Sequence, residues 1–132
     1  MKYFSMVIGT VLLLLSTSYL SSAQTKLSVS QFDSLIHKDK TIQLIDVRTP
    51  AELATGVIKG SKNIDYSSAD FVTRMSALDK SKPIAVYCAV GGRSGKSATK
   101  LKELGFTQIY DLAGGMTAWN AQKMPVVLPA HQ

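Results

Sequence analysis

Pro83-Ile84-Ala85-Val86-Tyr87-Cys88-Ala89-Val90-Gly91-Gly92-Arg93-Ser94 is the stretch on which the fold turns. The unbroken apolar run Ile84–Cys88 reads as a strand buried on both faces, as in a parallel sheet covered by helices. Two glycines end the run. From Ser94 onward apolar residues recur at helical spacing, at Ala98, Leu101 and Leu104, and Gly105 stops the pattern. Strand, glycine-bearing loop and helix thus follow one another. In open sheets built from such units, ligands bind where the strands end and the next loops begin.

The flanks repeat the alternation. Upstream, Ser28 and Gln31 are spaced as a capping box, opening a helix whose apolar face is Phe32, Leu35 and Ile36. Thr41–Asp46 reads as a strand. Thr49 caps a short helix starting at Pro50-Ala51-Glu52-Leu53, with proline at its first position. Ser68-Ala69-Asp70-Phe71 opens another helix, through Met75 and Leu78. Downstream, Thr107–Leu112 is a further strand. Gly114-Gly115 then turns into a last helix, Met116–Gln122, which carries Trp119 as a core residue. Alternating strands and helices predict an α/β fold: a parallel sheet flanked by helices on both faces. Neither a repeat nor a linker falls within 27–125, which reads as one domain; 24–26 and 126–132 read as loose tails.

The N-terminus is a separate object. Lys2 precedes the apolar run Val7–Leu15, and Ser16-Thr17-Ser18-Tyr19-Leu20-Ser21-Ser22-Ala23 follows. A charged start, an apolar middle and small residues at the exit make residues 1–23 a signal peptide, with Ser21 and Ala23 at −3 and −1 for a cut before Gln24. The competing reading is an uncleaved anchor, but Ser16–Ser18 interrupt the run short of the ~20 apolar residues a span needs. The expected product is periplasmic or secreted, with no stable membrane anchor after cleavage.

Composition removes other classes. The 132 residues are 45% hydrophobic and 18% charged, which excludes a disordered chain and a membrane bundle. A single cysteine excludes a disulfide scaffold and any multi-cysteine zinc or iron–sulfur site. His37 and His131 leave little for a histidine-based metal centre, so neither metal nor organic cofactor is expected. The net charge of +6 comes from scattered lysines with no basic helix interleaved with aromatics, so nucleic acid is not an expected partner.

The chemistry centres on Cys88. Gly91 and Gly92 let successive backbone N–H groups point inward as an anion nest. The N-terminus of the following helix adds its positive dipole end, and Arg93 adds a permanent cation. A thiol there titrates below the free value of about 8.5. A buried, inert core cysteine is the alternative. Against it stand the strand-to-loop junction and the unpaired thiol in an exported chain.

These residues carry a resemblance. In order come Asp46-Val47-Arg48, Glu52, Gly56-Val57-Ile58-Lys59-Gly60, Asn63-Ile64, the Tyr87–Ser94 segment, Gly105-Phe106 and Leu112-Ala113-Gly114-Gly115-Met116-Thr117-Ala118-Trp119. The chain resembles a single-domain rhodanese, a thiosulfate sulfurtransferase-type protein, over roughly 27–125. The resemblance implies a rhodanese-like fold, a five-stranded parallel sheet flanked by helices. It also implies that Cys88 is the nucleophile, accepting sulfane sulfur as a persulfide and passing it to a thiol or cyanide. Cys88 opens the active-site loop and Arg93 closes it; Ala89, Val90, Gly91, Gly92 and Ser94 form the substrate-binding loop. The chain departs from the family where Gly-His-Ile is usual: it has Gly56-Val57-Ile58, in a segment that buttresses the site.

Asp46, Arg48 and Glu52 are expected to support the loop, Asp46 and Arg48 as an ion pair and Glu52 as a second partner for Arg48. Three functions compete. The first is an exported sulfurtransferase acting on a small sulfur-containing anion such as thiosulfate, with a thiol, cyanide or protein sulfur acceptor. The second is phosphatase or arsenate chemistry, disfavoured because only four residues separate Cys88 from Arg93 and no general acid adjoins the loop. The third is a non-catalytic persulfide carrier or redox partner of another protein.

Overall fold

The computed structural model describes residues 23–129. The leader reading therefore lies outside the described residues, Ala23 excepted. Among the described residues five strands and four α-helices follow one another. They are β1 (Ala23–Leu27), α1 (Val29–Lys38), β2 (Gln43–Asp46), β3 (Lys62–Asn63), α2 (Phe71–Ser76), β4 (Ile84–Tyr87), α3 (Gly92–Glu103), β5 (Gln108–Leu112) and α4 (Gly115–Ala121). A 3₁₀ helix, Pro50–Thr55, lies between β2 and β3. The strands form one sheet in the order β1-β5-β4-β2-β3, and every pairing is parallel.

Side-chain alternation divides the core into two layers. Ile45, Ile84, Val86 and Ile109 meet Phe71 and Met75 of α2 and Ala98 and Leu101 of α3. Leu44, Ala85, Tyr87 and Leu112 point the other way, to Val29 and Phe32 of α1 and Met116 and Trp119 of α4. Each such side chain contributes about 1.5–3 kcal/mol when fully removed from water. All four residues of β4 are buried, which explains its continuous apolar run and puts its carboxyl end in the middle of the sheet.

Local chemistry sets the element ends. The Ser28 hydroxyl accepts from the Gln31 amide at 3.3 Å and the Gln31 side chain accepts from the Ser28 amide at 3.0 Å, closing the expected capping box. Thr49 donates to Glu52 Oε1 from both its amide and its hydroxyl, but the turn it opens is 3₁₀ rather than α.

The expected N-terminal tail is corrected, and so is the C-terminal one at Val127; residues 130–132 lie outside the described residues. Residues 24–26 belong to β1, which pairs with β5 in the register Lys26↔Asp111. This is a polar edge strand, and its partner rather than its own apolar pattern defines it. At the other end Val127 exchanges two backbone hydrogen bonds with Val57, at 2.8 and 2.9 Å. Val57, where the family's usual pattern has histidine, is thus buried under the C-terminal segment.

Candidate active site

Cys88 is the first residue beyond β4, at the carboxyl end of the central strand. The chain then turns through Gly91, whose φ of +112° suits glycine, and enters α3 at Gly92. Gly92, Arg93 and Ser94 therefore form the first turn of α3 rather than the end of a loop. The turn wraps the sulfur. The Gly91 N–H donates to Cys88 Sγ at 3.1 Å and the Ser94 N–H at 3.4 Å, while Ser94 Oγ lies 3.4 Å from Sγ. Burial pushes the thiol's pKa up. Hydrogen bonds from the Ser94 hydroxyl and from the amides of Ser94, Gly91 and Val90 outweigh it, and the net direction is down. Cys88 itself is fully buried rather than at the loop mouth, and Val90 is the exposed tip.

The loop is held from behind by α4. The amides of Met116 and Thr117 donate to the carbonyls of Cys88 and Ala89 at 2.9 and 3.0 Å. Those carbonyls face α4, which leaves the loop's N–H groups to face the sulfur. The approach is close enough to require glycine at 115. Its φ is +54°, and a Cβ there would collide with the Cys88 carbonyl oxygen and sit 2.8 Å from the Ala89 carbonyl. In sequence Gly114-Gly115 reads as a tight turn only; the close approach of Gly115 to the Cys88 carbonyl is a tertiary contact with no local signal.

The charged residues are arranged differently from expectation. Asp46 and Arg48 do form a buried ion pair, with Arg48 Nη2 and Nε donating to the Asp46 carboxylate at 2.7 and 3.0–3.1 Å. Arg48 also donates to the carbonyls of Glu52 and Gly56, tying β2's end to the 3₁₀ helix. The Glu52 carboxylate, however, is not a partner of Arg48. It takes a two-pronged ion pair from Arg93, at 2.6 and 2.9 Å. The reason is reach: Arg48 is already satisfied by Asp46 and two carbonyls, whereas Arg93 projects from α3 over the 3₁₀ helix. That pair holds the Glu52 pKa down at about 2, with Arg93's hydrogen bonds the largest cause. Arg93 is thus the half-buried clasp between the cysteine turn and the 3₁₀ helix, and Ser94 with the loop amides is what cradles the sulfur.

Tyr87, which sequence reasoning passed over, anchors the other face: its hydroxyl donates to Ser61 Oγ at 2.9 Å and accepts from the Ile58 amide at 3.1 Å. Two clefts of about 430 and 510 Å³ lie beside the C-terminal segment, one lined by Ile36, Leu44 and Trp119 and the other by Leu53, Val57 and Leu128. Neither reaches Cys88. Among the described residues no cluster of His, Cys, Asp and Glu could hold a metal, and no helix is long and apolar enough to cross a membrane.

A parallel α/β sheet with a lone cysteine in an amide-lined turn, at the carboxyl end of its central strand, defines a class of thiol-centred domains. The chain belongs to the family of Rhodanese-like domain proteins, which it matches over residues 28–122. It is 33% identical over 88 residues to a sulfurtransferase of Allochromatium vinosum, covering 67% of this chain and 80% of that one. It is 35% identical over 85 residues to the thiosulfate sulfurtransferase GlpE of Pseudomonas aeruginosa, covering 64% and 74%. Among solved structures, a rhodanese-related protein of Thermoplasma volcanium superposes with a TM-score of 0.70 at 34% identity, covering 79% of this chain and 98% of the other. The polysulfide-sulfur transferase homodimer of Wolinella succinogenes gives a TM-score of 0.67 at 32% identity, with coverage of 83% and 82%. Relatives named for sulfur transfer thus surround the chain, and a sulfur-transfer role is supported at the level of the family.

Proposed function

We propose that the protein is an exported sulfurtransferase that moves sulfane sulfur from an anionic donor such as thiosulfate to a thiol or cyanide, through a persulfide on Cys88. The observation that carries this is the cradle itself: amides of Gly91 and Ser94 aimed at the sulfur, in a family with sulfurtransferase members. The Cys88 thiolate attacks the outer sulfur of thiosulfate. A Cys88–S bond forms, the sulfur–sulfur bond of the donor breaks, and sulfite leaves with its electron pair. The persulfide anion takes over the amides that held the thiolate. Attack by a thiolate or cyanide on the outer sulfur then returns Cys88 as thiolate. Because Arg93 is paired with Glu52, an anionic donor recruits this cation by competing with the Glu52 carboxylate. Because Cys88 is buried, the donor reaches it only when the turn around it opens.

The test is thiocyanate production from thiosulfate and cyanide by the wild type and by Cys88→Ser. Turnover that vanishes in the serine variant supports the proposal; turnover that persists overturns it. The full burial of Cys88 favours one alternative, a persulfide carrier opened only by a docked protein. A persulfide that forms on Cys88 without cyanide turnover would select it. Export is tested by the N-terminus of the native protein, which the proposal places at Gln24.

A further inference from the structure

The cleft of about 430 Å³ beside the C-terminal segment has no part in the chemistry at Cys88. Its floor is core: Leu44 of β2, Ile58 and Trp119 of α4, all buried in one packing layer. Ile36, near the end of α1, and Ile42 line one side; Pro125 and Val127 line the other. The C-terminal side is pinned. The Trp119 indole N–H donates to the Pro125 carbonyl at 3.0 Å, and Val127 is held by its two backbone bonds to Val57. Those bonds keep the segment off α1, and the trough between them stays open. Its lip at Gly60 is free of neighbours, since a Cβ there would meet nothing within 4 Å. An apolar body displaces water from such a trough favourably, and the volume falls in the usual range for small-ligand sites, roughly 300–1,000 Å³.

The mouth carries positive charge without partners. Lys40, in the turn after α1, and Lys59, in the loop before β3, both line the cleft. Both are exposed, and neither joins an ion pair among the described residues. Asp39 is the one carboxylate at the mouth, and it is occupied: the Thr41 amide and hydroxyl donate to its Oδ1 at 2.8 and 2.6 Å. His37 is engaged too, with its Nδ1 3.2 Å from the Asp33 carboxylate. Lysine stems cover apolar surface while their ammonium groups stay in water, which suits a ligand whose body is buried and whose head remains at the rim. A neutral apolar ligand would gain nothing from the two ammonium groups, and a cation would be repelled by them.

We propose that this trough is a binding site, separate from Cys88, for a small amphipathic anion. Its apolar body rests on Leu44, Ile58 and Trp119, and its carboxylate or similar head is held at the rim by Lys40 and Lys59. A trough walled on two sides admits a body of side-chain size, whereas a stable protein interface buries about 1,200–2,000 Å². The occupant is therefore a free small molecule.

The chain has a single tryptophan, so its indole N–H gives one separate signal in a proton–nitrogen correlation spectrum. Decanoate, kept below its micelle concentration, is titrated into the isotope-labelled full chain, with decanol as the uncharged probe. Decanoate should move the Trp119 signal saturably. Decanol should bind at least about threefold more weakly, and the difference should shrink as salt is raised. In the double variant Lys40→Glu with Lys59→Glu, decanoate should weaken by roughly tenfold while decanol is unchanged. Ile42→Glu, which puts a charge in the apolar wall, should abolish both. The absence of a saturable shift would overturn the proposal. So would equal affinity for the two probes, or a decanoate response that survives in the double variant. A Trp119 signal that moves with protein concentration alone, and stops doing so in Ile42→Glu, would assign the trough to a second copy of the chain and overturn it as well. Should Ile42→Glu fail to fold, the lysine variants decide, since both side chains are exposed. Neither probe carries sulfur, so these outcomes stand apart from whether Cys88 transfers it.

Discussion

At the scale of single residues, Cys88 and Arg93 have separate tasks: amides and the Ser94 hydroxyl stabilise the sulfur, and Arg93 clasps Glu52. Arg93→Ala should slow transfer from thiosulfate by roughly 10²–10³-fold, the cost of losing one charge-stabilising donor. A rate within about threefold of wild type, roughly 0.65 kcal/mol, would make Arg93 purely structural. Glu52→Gln should do the opposite to binding, lowering the KM for thiosulfate by freeing the guanidinium; an unchanged or raised KM would contradict the competition. The same carboxylate predicts an acid limb in stability. Its folded pKa of about 2 lies below the ordinary value of 4.5, so its contribution is complete above pH 4.5 and disappears as pH falls toward 2. Unfolding of Glu52→Gln by urea should lack that part of the slope. The cysteine, the glycines and Arg93 were legible because each residue type has a physical use in an anion-binding turn. The direction of Glu52 was not, since Arg48 and Arg93 are equally good partners until the fold fixes their reach.

At the scale of elements, the cradle depends on α4 as much as on α3. The amides of Met116 and Thr117 hold the Cys88 and Ala89 carbonyls, and only glycine fits at 115. Gly115→Ala should therefore destabilise the domain by about 2 kcal/mol or more, from the left-handed φ together with the backbone collision. Cys88 alkylation should shift to higher pH in the same variant. Urea unfolding and the alkylation profile check both, and a variant with wild-type values in each would show that α4 does not hold the turn. The long apolar β4 and the capping box of α1 were legible because their signals are local. β1 and β3 were not. The first is polar and exposed over Gln24–Lys26, and the second is only two residues long, so both exist through their neighbours' hydrogen bonds.

At the scale of the whole molecule, the edge strand and the C-terminal segment close the domain around the sheet. A chain beginning at Ser28 would leave β5 as an unpaired edge beside Asp111, and its Tm should fall by at least roughly 4–8 °C, about 1 kcal/mol for a domain of this size. An unchanged Tm would make β1 dispensable. The alternation of strands and helices by itself places Cys88 at a strand's carboxyl end, so this feature is legible in the sequence without the sheet order. The claim on which all of this converges is that Cys88 accepts sulfur. Mass spectrometry of the reduced protein after exposure to thiosulfate tests it most directly. The account predicts a gain of about 32 Da, one sulfur atom, on the peptide containing Cys88, removed by cyanide with one thiocyanate released. A native, folded protein whose Cys88 gains no sulfur, or whose Cys88→Ser variant gains the same mass, would contradict it.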